Sequence, residues 1–389
     1  VVVDPRRTET AEGADAHYFI RPGTDAYFLL AMIHTMFTEG LDRPGRLKAF
    51  TEGSAEVRRL AADWTPERAA PLTGIDPPAI RRVAREFAQA PSAVSYGRMG
   101  TCVQEFGAAA PWLADVVNVI TGNLDRPGGA MFTTPAVDVR RVASLLGQSG
   151  SHGKWRSRVG GFAEVGGEFP VAAFAEEMET PGPGRIRGLV VHAGNPVLSL
   201  PNGGRIDRAL GDLEFMVAVD LYLNETTRHA DVILPTAFGF EHDTYALLTA
   251  NAAVRNSARY GPKLMDAPEG VREDHWILTE LTARLLARRG ALGRAAAAAA
   301  RAFDRRVGPR GMLRAGLRFG PHGKGLLGDG LTLGALERRP EGVDLGPLEP
   351  RMPKLLFTKD RRIHLAPPPM VADLARLEAR EMVLRDVTT

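Results

Sequence analysis

Cysteine is almost missing from this 389-residue chain: the single Cys102 excludes an intrachain disulfide and any multi-cysteine zinc or iron–sulfur site within it. Such usage fits a reducing, cytoplasmic setting. Long apolar runs are missing too, since the longest, Ala26 to Phe37, is too short for a bilayer and carries His34. No membrane span is expected. Nor is there an excess of one charge: 49 Lys+Arg against 46 Asp+Glu leaves +3, which gives no overall nucleic-acid footprint. Walker A and H-E-x-x-H sequences are absent. The opening Val1-Val2-Val3-Asp4 has no initiator Met and no basic-then-apolar leader. It reads directly as a buried strand, so residues upstream are expected to be missing.

What is present is ordinary globular composition, 44% hydrophobic and 24% charged, over a length that suggests two or three domains at about 150 residues each. Short Val-rich runs alternate with segments of helical period, the pattern of an α/β protein with a mainly parallel sheet. Strands are expected at Val1–Asp4, Ala93–Tyr96, Gly188–His192, Phe215–Asp220 and Val232–Leu234. Helices are expected at Ala26–Glu39, Pro78–Ala88, Trp112–Thr121, Arg205–Leu210 and His275–Arg288, and an amphipathic stretch, Met370 to Arg385, closes the chain. Asp25 and Asp274 stand where N-caps belong, and Gly40 and Gly122 just past helix ends. Residues 144–186 read as a long loop and 303–353 as Gly- and Pro-punctuated chain with little periodicity.

An internal repeat is the strongest signal. Residues 1–15 lie without gaps on residues 217–231, and Val1/Val217, Val3/Val219, Asp4/Asp220, Glu9/Glu225, Thr10/Thr226, Ala14/Ala230 and Asp15/Asp231 are identical. Chance would give roughly one match in such a window. Two copies of one supersecondary unit follow, each with a carboxylate ending an apolar strand. There it can accept hydrogen bonds from a ribose or from a guanine N–H edge. A lone Asp would more often simply stop a strand; duplication favours two nucleotide-like ligands or one ligand spanning a pseudo-two-fold axis.

Pro22-Gly23-Thr24-Asp25 leads into a helix whose free N–H groups suit a phosphate or polar base edge, or form an ordinary capping turn. Gly194-Asn195-Pro196 after a strand is either a ligand approach or an Asn-Pro turn. Gly323-Lys324-Gly325-Leu326-Leu327-Gly328 matches G-x-G-x-x-G, yet no strand is expected before it. Glu241-His242-Asp243 is a poor metal set because adjacent residues seldom converge on one ion. Cys102 lacks an evident base, and Asn224-Glu225-Thr226 is a coincidental sequon. Ten arginines against Asp304 alone between Arg284 and Arg318 read as a solvated surface, broken by Gly308, Pro309 and Gly311.

Together these stretches resemble the molybdopterin oxidoreductases that bind molybdenum or tungsten through bis-molybdopterin guanine dinucleotide. The resemblance runs from Val1 to about Arg288. Its most specific parts are Val1 to Arg6 with Pro22 to Asp25, Tyr96-Gly97-Arg98-Met99-Gly100, Leu124-Asp125-Arg126-Pro127-Gly128-Gly129, Gly194-Asn195-Pro196, and Asp220 through His229-Ala230-Asp231 to Glu241. It implies two doubly wound, mainly parallel-sheet α/β domains related by a pseudo-two-fold repeat, each holding one guanine dinucleotide with the metal between. On that basis residues 1–133 form the first domain and 134–302 the second, with 303–389 an irregular linker and helix leading to a missing C-terminal barrel.

By position, the resemblance sets Asp4, Pro5, Arg6 and Arg7 against one dinucleotide, Gly23, Thr24 and Asp25 at its nucleotide end, and Met99 and Gly100 by the pterin. Asn195, Val219 and Asp220, with His242 and Asp274, would hold the other. The metal ligand and the cysteines of the usual [4Fe–4S] cluster would lie upstream. Many relatives have Gln four positions after Met99, where this chain has Val103 and then Gln104, and the Arg-Gly-Gln-Asn-Asn segment of formate dehydrogenases is replaced by Thr134-Pro135-Ala136-Val137-Asp138. The implied function is the central part of a molybdenum or tungsten oxidoreductase acting on a small molecule with a possible electron-transfer subunit, inactive as an isolated piece. A non-catalytic scaffold of the same fold and an unrelated α/β protein binding NAD or GTP are the competing readings.

Overall fold

The computed structural model describes residues 1–145, 147, 150–325 and 328–388, with side chains to Glu381. It divides into two compact units, Val1–Phe132 with Leu348–Thr389, and Thr133–Pro347. The expected third segment is therefore shared: 303–347 belongs to the second unit and 348–389 returns to the first.

The first unit is built around helix α1, Asp25–Thr38, in which eleven of fourteen side chains are buried. A helix apolar all round has to be central. Around it pack α2 (Ser54–Ala61), α3 (Pro66–Thr73), α4 (Pro77–Gln89) and α5 (Ala109–Ile120). Thr24, not Asp25, stands at the N-cap position of α1. At the far end of α5, Gly122 has φ 72°, and a Cβ there would lie 2.7 Å from the Arg43 carbonyl oxygen, so only glycine fits the turn. The closing helix, Pro368–Thr388, is held by Tyr27 Oη donating to the Leu377 carbonyl at 2.9 Å and by the Arg68–Glu381 ion pair at 2.5 Å.

Only two short strands pair near the N-terminus, β1 (Val2–Val3) and β2 (His17–Tyr18), in parallel. The strand expected at Ala93–Tyr96 does not form. That segment is extended beside α5 instead: Ser95 N–H donates to Asn118 Oδ1 and Asn118 Nδ2 donates to the Ser95 carbonyl, both at 2.8 Å. The buried Asn118 amide takes the place of a neighbouring strand.

In the second unit, β3 (Gly188–His192), β4 (Phe215–Asp220) and β5 (Val232–Pro235) form a parallel sheet in that order. Helix α6, Gly203–Gly211, connects β3 to β4 and buries Ile206, Ala209 and Leu210. Helix α7 spans Asp274–Ala287, with Glu273 at the N-cap position where Asp274 was expected. The regions read as irregular carry more structure than their Gly and Pro content suggests. An antiparallel pair, His152–Arg156 with Ala163–Val165, lies in the long loop. Helices α8 (Ala291–Arg306) and α9 (Gly308–Phe319) follow α7, broken at Val307 beside the expected Gly308. Leu326 and Leu327 of the G-x-G-x-x-G stretch lie outside the described residues, and helix α9 rather than a strand precedes that stretch.

The two copies of the repeat share one register. Val2 pairs with His17 and Val3 with Tyr18; Ala218 pairs with Ile233 and Val219 with Leu234. Each partner is fifteen residues on, and the two sets coincide under the ungapped offset. A turn of helix lies between the strands in each copy, Glu9–Glu12 and Thr227–His229.

Candidate functional site

In an open parallel sheet, ligands bind beyond the carboxyl ends of the strands. In each unit that end is where the repeated carboxylate sits. Asp4 Oδ1 accepts the Arg6 N–H at 2.7 Å, and Asp220 Oδ1 accepts the equivalent Tyr222 N–H at 3.2 Å and the Leu221 N–H at 2.6 Å. Further along, Thr8 Oγ1 accepts from Ala11 N–H and the equivalent Asn224 Oδ1 from Thr227 N–H. The repeat is thus one of hydrogen-bonding geometry as well as of residue type.

In the first unit, Pro5, Arg6 and Arg7 form the exposed turn after β1. Among the described residues neither guanidinium of Arg6 or Arg7 has a hydrogen bond or ion pair, which leaves two cations available to a phosphate. Gly23 (φ 79°) precedes the buried Thr24, whose hydroxyl donates to the Arg21 carbonyl at 2.6 Å. Asp25 Oδ2 accepts from Gln104 Nε2 at 2.7 Å, and Gln104 Nε2 also reaches the Thr101 carbonyl at 3.3 Å. Gln104 thereby ties the turn bearing Met99 and Gly100, Met99–Cys102, to the start of α1. Gln104 Oε1 is shielded from solvent without a partner among the described residues, 3.7 Å from where a Cβ on Gly23 would stand. Val103, by contrast, is exposed. Sequence reasoning noticed Gln104 only as a departure from the pattern of relatives and assigned it nothing.

In the second unit the expected residues divide. Asn195 follows β3, but its amide is engaged: Nδ2 donates to Glu225 Oε2 at 2.8 Å and Oδ1 accepts from Thr226 Oγ1 at 2.7 Å. The amide holds the Glu225 carboxyl below its usual range. Asn195 is a brace between the β3 and β4 loops, and its partners are the repeated Glu and Thr. The Val219 side chain is fully buried, so only its backbone faces the edge, where its carbonyl accepts from Ala193 N–H at 3.1 Å.

Asp274 is brought to the same edge. The preceding chain extends the sheet, with Ala237 N–H donating to the Arg272 carbonyl at 3.1 Å, and Asp274 Oδ2 accepts His192 Nε2–H at 2.7 Å. His192 ends β3 and was not among the expected residues; its partner lies 82 positions away. Asp274 Oδ1 is shielded and has no partner among the described residues.

His242 is not gathered with them. Its Nδ1 donates to the Asp243 carbonyl at 3.0 Å, on the chain between β5 and the Thr244–Tyr245 strand, and no hydrogen bond or ion pair among the described residues links it to Asn195, Asp220 or Asp274. Nearby Asp243 takes Arg310 Nη1 on Oδ2 at 3.0 Å and the Lys263 N–H on Oδ1 at 3.1 Å; burial pushes its carboxyl up, but the Tyr260 hydroxyl, the Lys263 N–H and Arg310 together outweigh it and keep the carboxyl low. An apolar cavity of about 840 Å³, lined by Val142, Leu145, Tyr245, Leu313 and Phe319 among others, lies in this unit but contains none of the expected site residues. Among the described residues the set that could chelate an ion is the exposed Glu52, Asp360 and His364 in the first unit, far in sequence from every expected site residue.

What the edges offer is consistent. Strand-end carboxylates, an orphaned carboxylate oxygen, an orphaned amide oxygen and free arginines suit a ligand with N–H or O–H donors at one part and anionic oxygens at another. No helix among the described residues is long and apolar enough to cross a membrane.

Comparison with known proteins bears on this chemistry directly. The family model "Molybdopterin oxidoreductase" matches residues 1–284. The chain is 31% identical over 314 residues to a nitrate reductase of Symbiobacterium thermophilum, covering 73% of this chain and 40% of the relative. It is 26% identical over 296 residues to formate dehydrogenase H of Escherichia coli, covering 73% and 41% respectively. The chain thus spans about two fifths of these relatives. Acetylene hydratase from Pelobacter acetylenicus superposes with a TM-score of 0.60 at 20% identity, over 73% of this chain and 42% of that one, a likeness of fold alone. With a family model covering well over half its length, the chain belongs to the molybdopterin oxidoreductases.

Proposed function

We propose that this chain is the central, cofactor-holding part of a molybdenum or tungsten oxidoreductase catalytic subunit, and that its two strand-end crevices grip the guanine dinucleotide tails of bis-molybdopterin guanine dinucleotide. The same reading takes the two units as doubly wound halves of a pseudo-two-fold pair. The observation that carries it is the repeat: an identical fifteen-residue register with Asp4 and Asp220 in the same hydrogen-bonded place, inside a chain of this family.

When bound, the cofactor supplies the redox chemistry, by oxygen-atom or by hydride and proton transfer with electrons passed on. The protein's residues bind and orient. On one side Asp4 accepts donor groups of the nucleotide, Arg6 and Arg7 neutralise phosphate, and Gly23 to Asp25 bring the N-terminal end of α1 to it. Met99 and Gly100 flank the pterin. On the other side Asp220 and Asp274 accept, while Asn195 holds its loop in place. A small-molecule substrate, an electron-transfer subunit and a cytoplasmic location complete the proposal. With Cys102 alone, the chain supplies no four-cysteine cluster.

The test is to produce the chain in a host that makes the cofactor and to measure pterin, GMP released on hydrolysis, and molybdenum or tungsten per chain. Near-stoichiometric values are expected, falling at least several-fold in Asp4→Ala and Asp220→Ala. Absence of pterin and metal from the folded wild-type chain overturns the proposal.

A further inference from the structure

We infer that His192 is a positioning residue that fixes the Asp274 carboxylate so that its free oxygen faces a ligand's donor edge in the second crevice. The inference rests on the proposed function for that crevice and adds a residue to it. His192 is the last residue of β3, reached after the buried Val191, so the strand itself delivers the imidazole to the carboxyl edge of the sheet. The backbone pairing of Arg272 with Ala237 and Pro235 sets where α7 begins, and so where the Asp274 main chain lies. It does not set the direction of the side chain.

His192 does. Its Nε2–H donates to Asp274 Oδ2 at 2.7 Å; because a carboxylate only accepts, the bond also fixes that nitrogen as the protonated one. With Oδ2 held, the plane of the carboxylate is set. Oδ1 is left shielded from water with no partner among the described residues, at a place where three other acceptors or donors are already engaged. The Asn195 amide is taken by Glu225 and Thr226, and Asp220 Oδ1 by the N–H groups of Leu221 and Tyr222. The Asp274 side chain as a whole is 41% exposed, yet Oδ1 itself is covered, and a ligand N–H or O–H supplies the donor it lacks among the described residues. The ligand class is a nucleoside diphosphate whose base or ribose offers such donors.

The experiment is a calorimetric titration of the 389-residue chain with guanosine 5′-diphosphate, comparing wild type, His192→Leu, His192→Gln, Asp274→Asn and the His192→Leu/Asp274→Asn double variant. Thermal melts run alongside. His192→Leu is expected to weaken binding about tenfold, as loss of a hydrogen bond to a charged group does. His192→Gln, whose amide can still donate to Oδ2, is expected to recover to within about threefold of wild type, with a similar melting point. In the Asp274→Asn background His192→Leu is expected to add less than about twofold, since its effect passes through the carboxylate.

Wild-type binding unchanged in His192→Leu overturns the role of His192 and leaves the crevice assignment standing. So does an undiminished effect of His192→Leu in the Asp274→Asn background, or failure of the glutamine variant to recover in a folded protein. No binding of the diphosphate by wild type overturns the crevice assignment and this inference together.

Discussion

Tyr245 carries a hydroxyl that is shielded from water and has no hydrogen-bond partner among the described residues. Burial pushes its phenol up to about 12, and burial likewise raises Tyr27 to about 12. In the unfolded chain both titrate near 10, so the native state resists ionisation that the unfolded state accepts. The contribution of this effect to stability is complete below pH 10 and is lost as the pH climbs from 10 to 12. Tyr245→Phe removes one such group and an unsatisfied polar atom at once. At pH 8 it is expected to be neutral or slightly stabilising, and its melting temperature should fall less steeply than wild type between pH 10 and 11.5. An equal alkaline decline in both proteins would refute the assignment.

At this scale the sequence spoke through identity and position. Asp4, Asp220 and Asn195 were readable because repeat or motif marks them, whereas His192 and Gln104 were not, since Asp274 and Asp25 reach them from 82 and 79 residues away. His242 was placed by resemblance alone, and among the described residues no hydrogen bond or ion pair ties it to the other expected site residues.

Elements were legible where a core face imposes a period. The apolar run of α1 and the strands β3 to β5 emerged within a residue or two of their bounds. Ala93–Tyr96 misled because its composition is that of a strand while its partner is a side chain, Asn118. Helix α9 was hidden by Gly and Pro in a stretch read as irregular, while α8, lying mostly before that stretch, was not singled out at all. How residues 348–389 are held was invisible, for it depends on Asp125. That buried carboxylate, in a turn at φ 55°, accepts Arg46 Nη2 at 2.6 Å and the N–H groups of Arg351 and Met352 at 2.9 and 2.7 Å. Asp125→Ala removes the side-chain acceptor of the Arg351 and Met352 N–H groups and the ion pair with Arg46, whose Nη2 keeps the Asp125 carbonyl at 2.6 Å, and should cost about 3 kcal/mol. Hydrogen exchange should rise selectively at Arg351 and Met352; unchanged protection there would show the segment is anchored by other means.

For the molecule as a whole, the family and the mixed helix-and-strand character were legible from motif order, and the comparisons bear out the family. The division of the chain was less so. Domain limits were read as consecutive segments, yet the first unit is discontinuous, closed by the returning 348–389 stretch, and such closure leaves no local mark on a sequence.

The common fifteen-residue spacing has a practical corollary. Segments 4–15 and 220–231 are equal-length cassettes, and a chimera carrying the former in place of the latter keeps Glu225, Thr226 and Asp231 as Glu9, Thr10 and Asp15, the contacts that Asn195 and the Met216 N–H require. It loses both partners of Asp207, the exposed Arg228 and the part-buried His229, which become Glu12 and Gly13. Such a chimera should unfold cooperatively with amide protection retained at Val217 to Val219, whereas the same transplant shortened by one residue should not, because a single step turns every side chain of the strand to the opposite side. Natural exchange of these parts would therefore leave no scar in the backbone, only in what the edge can hold.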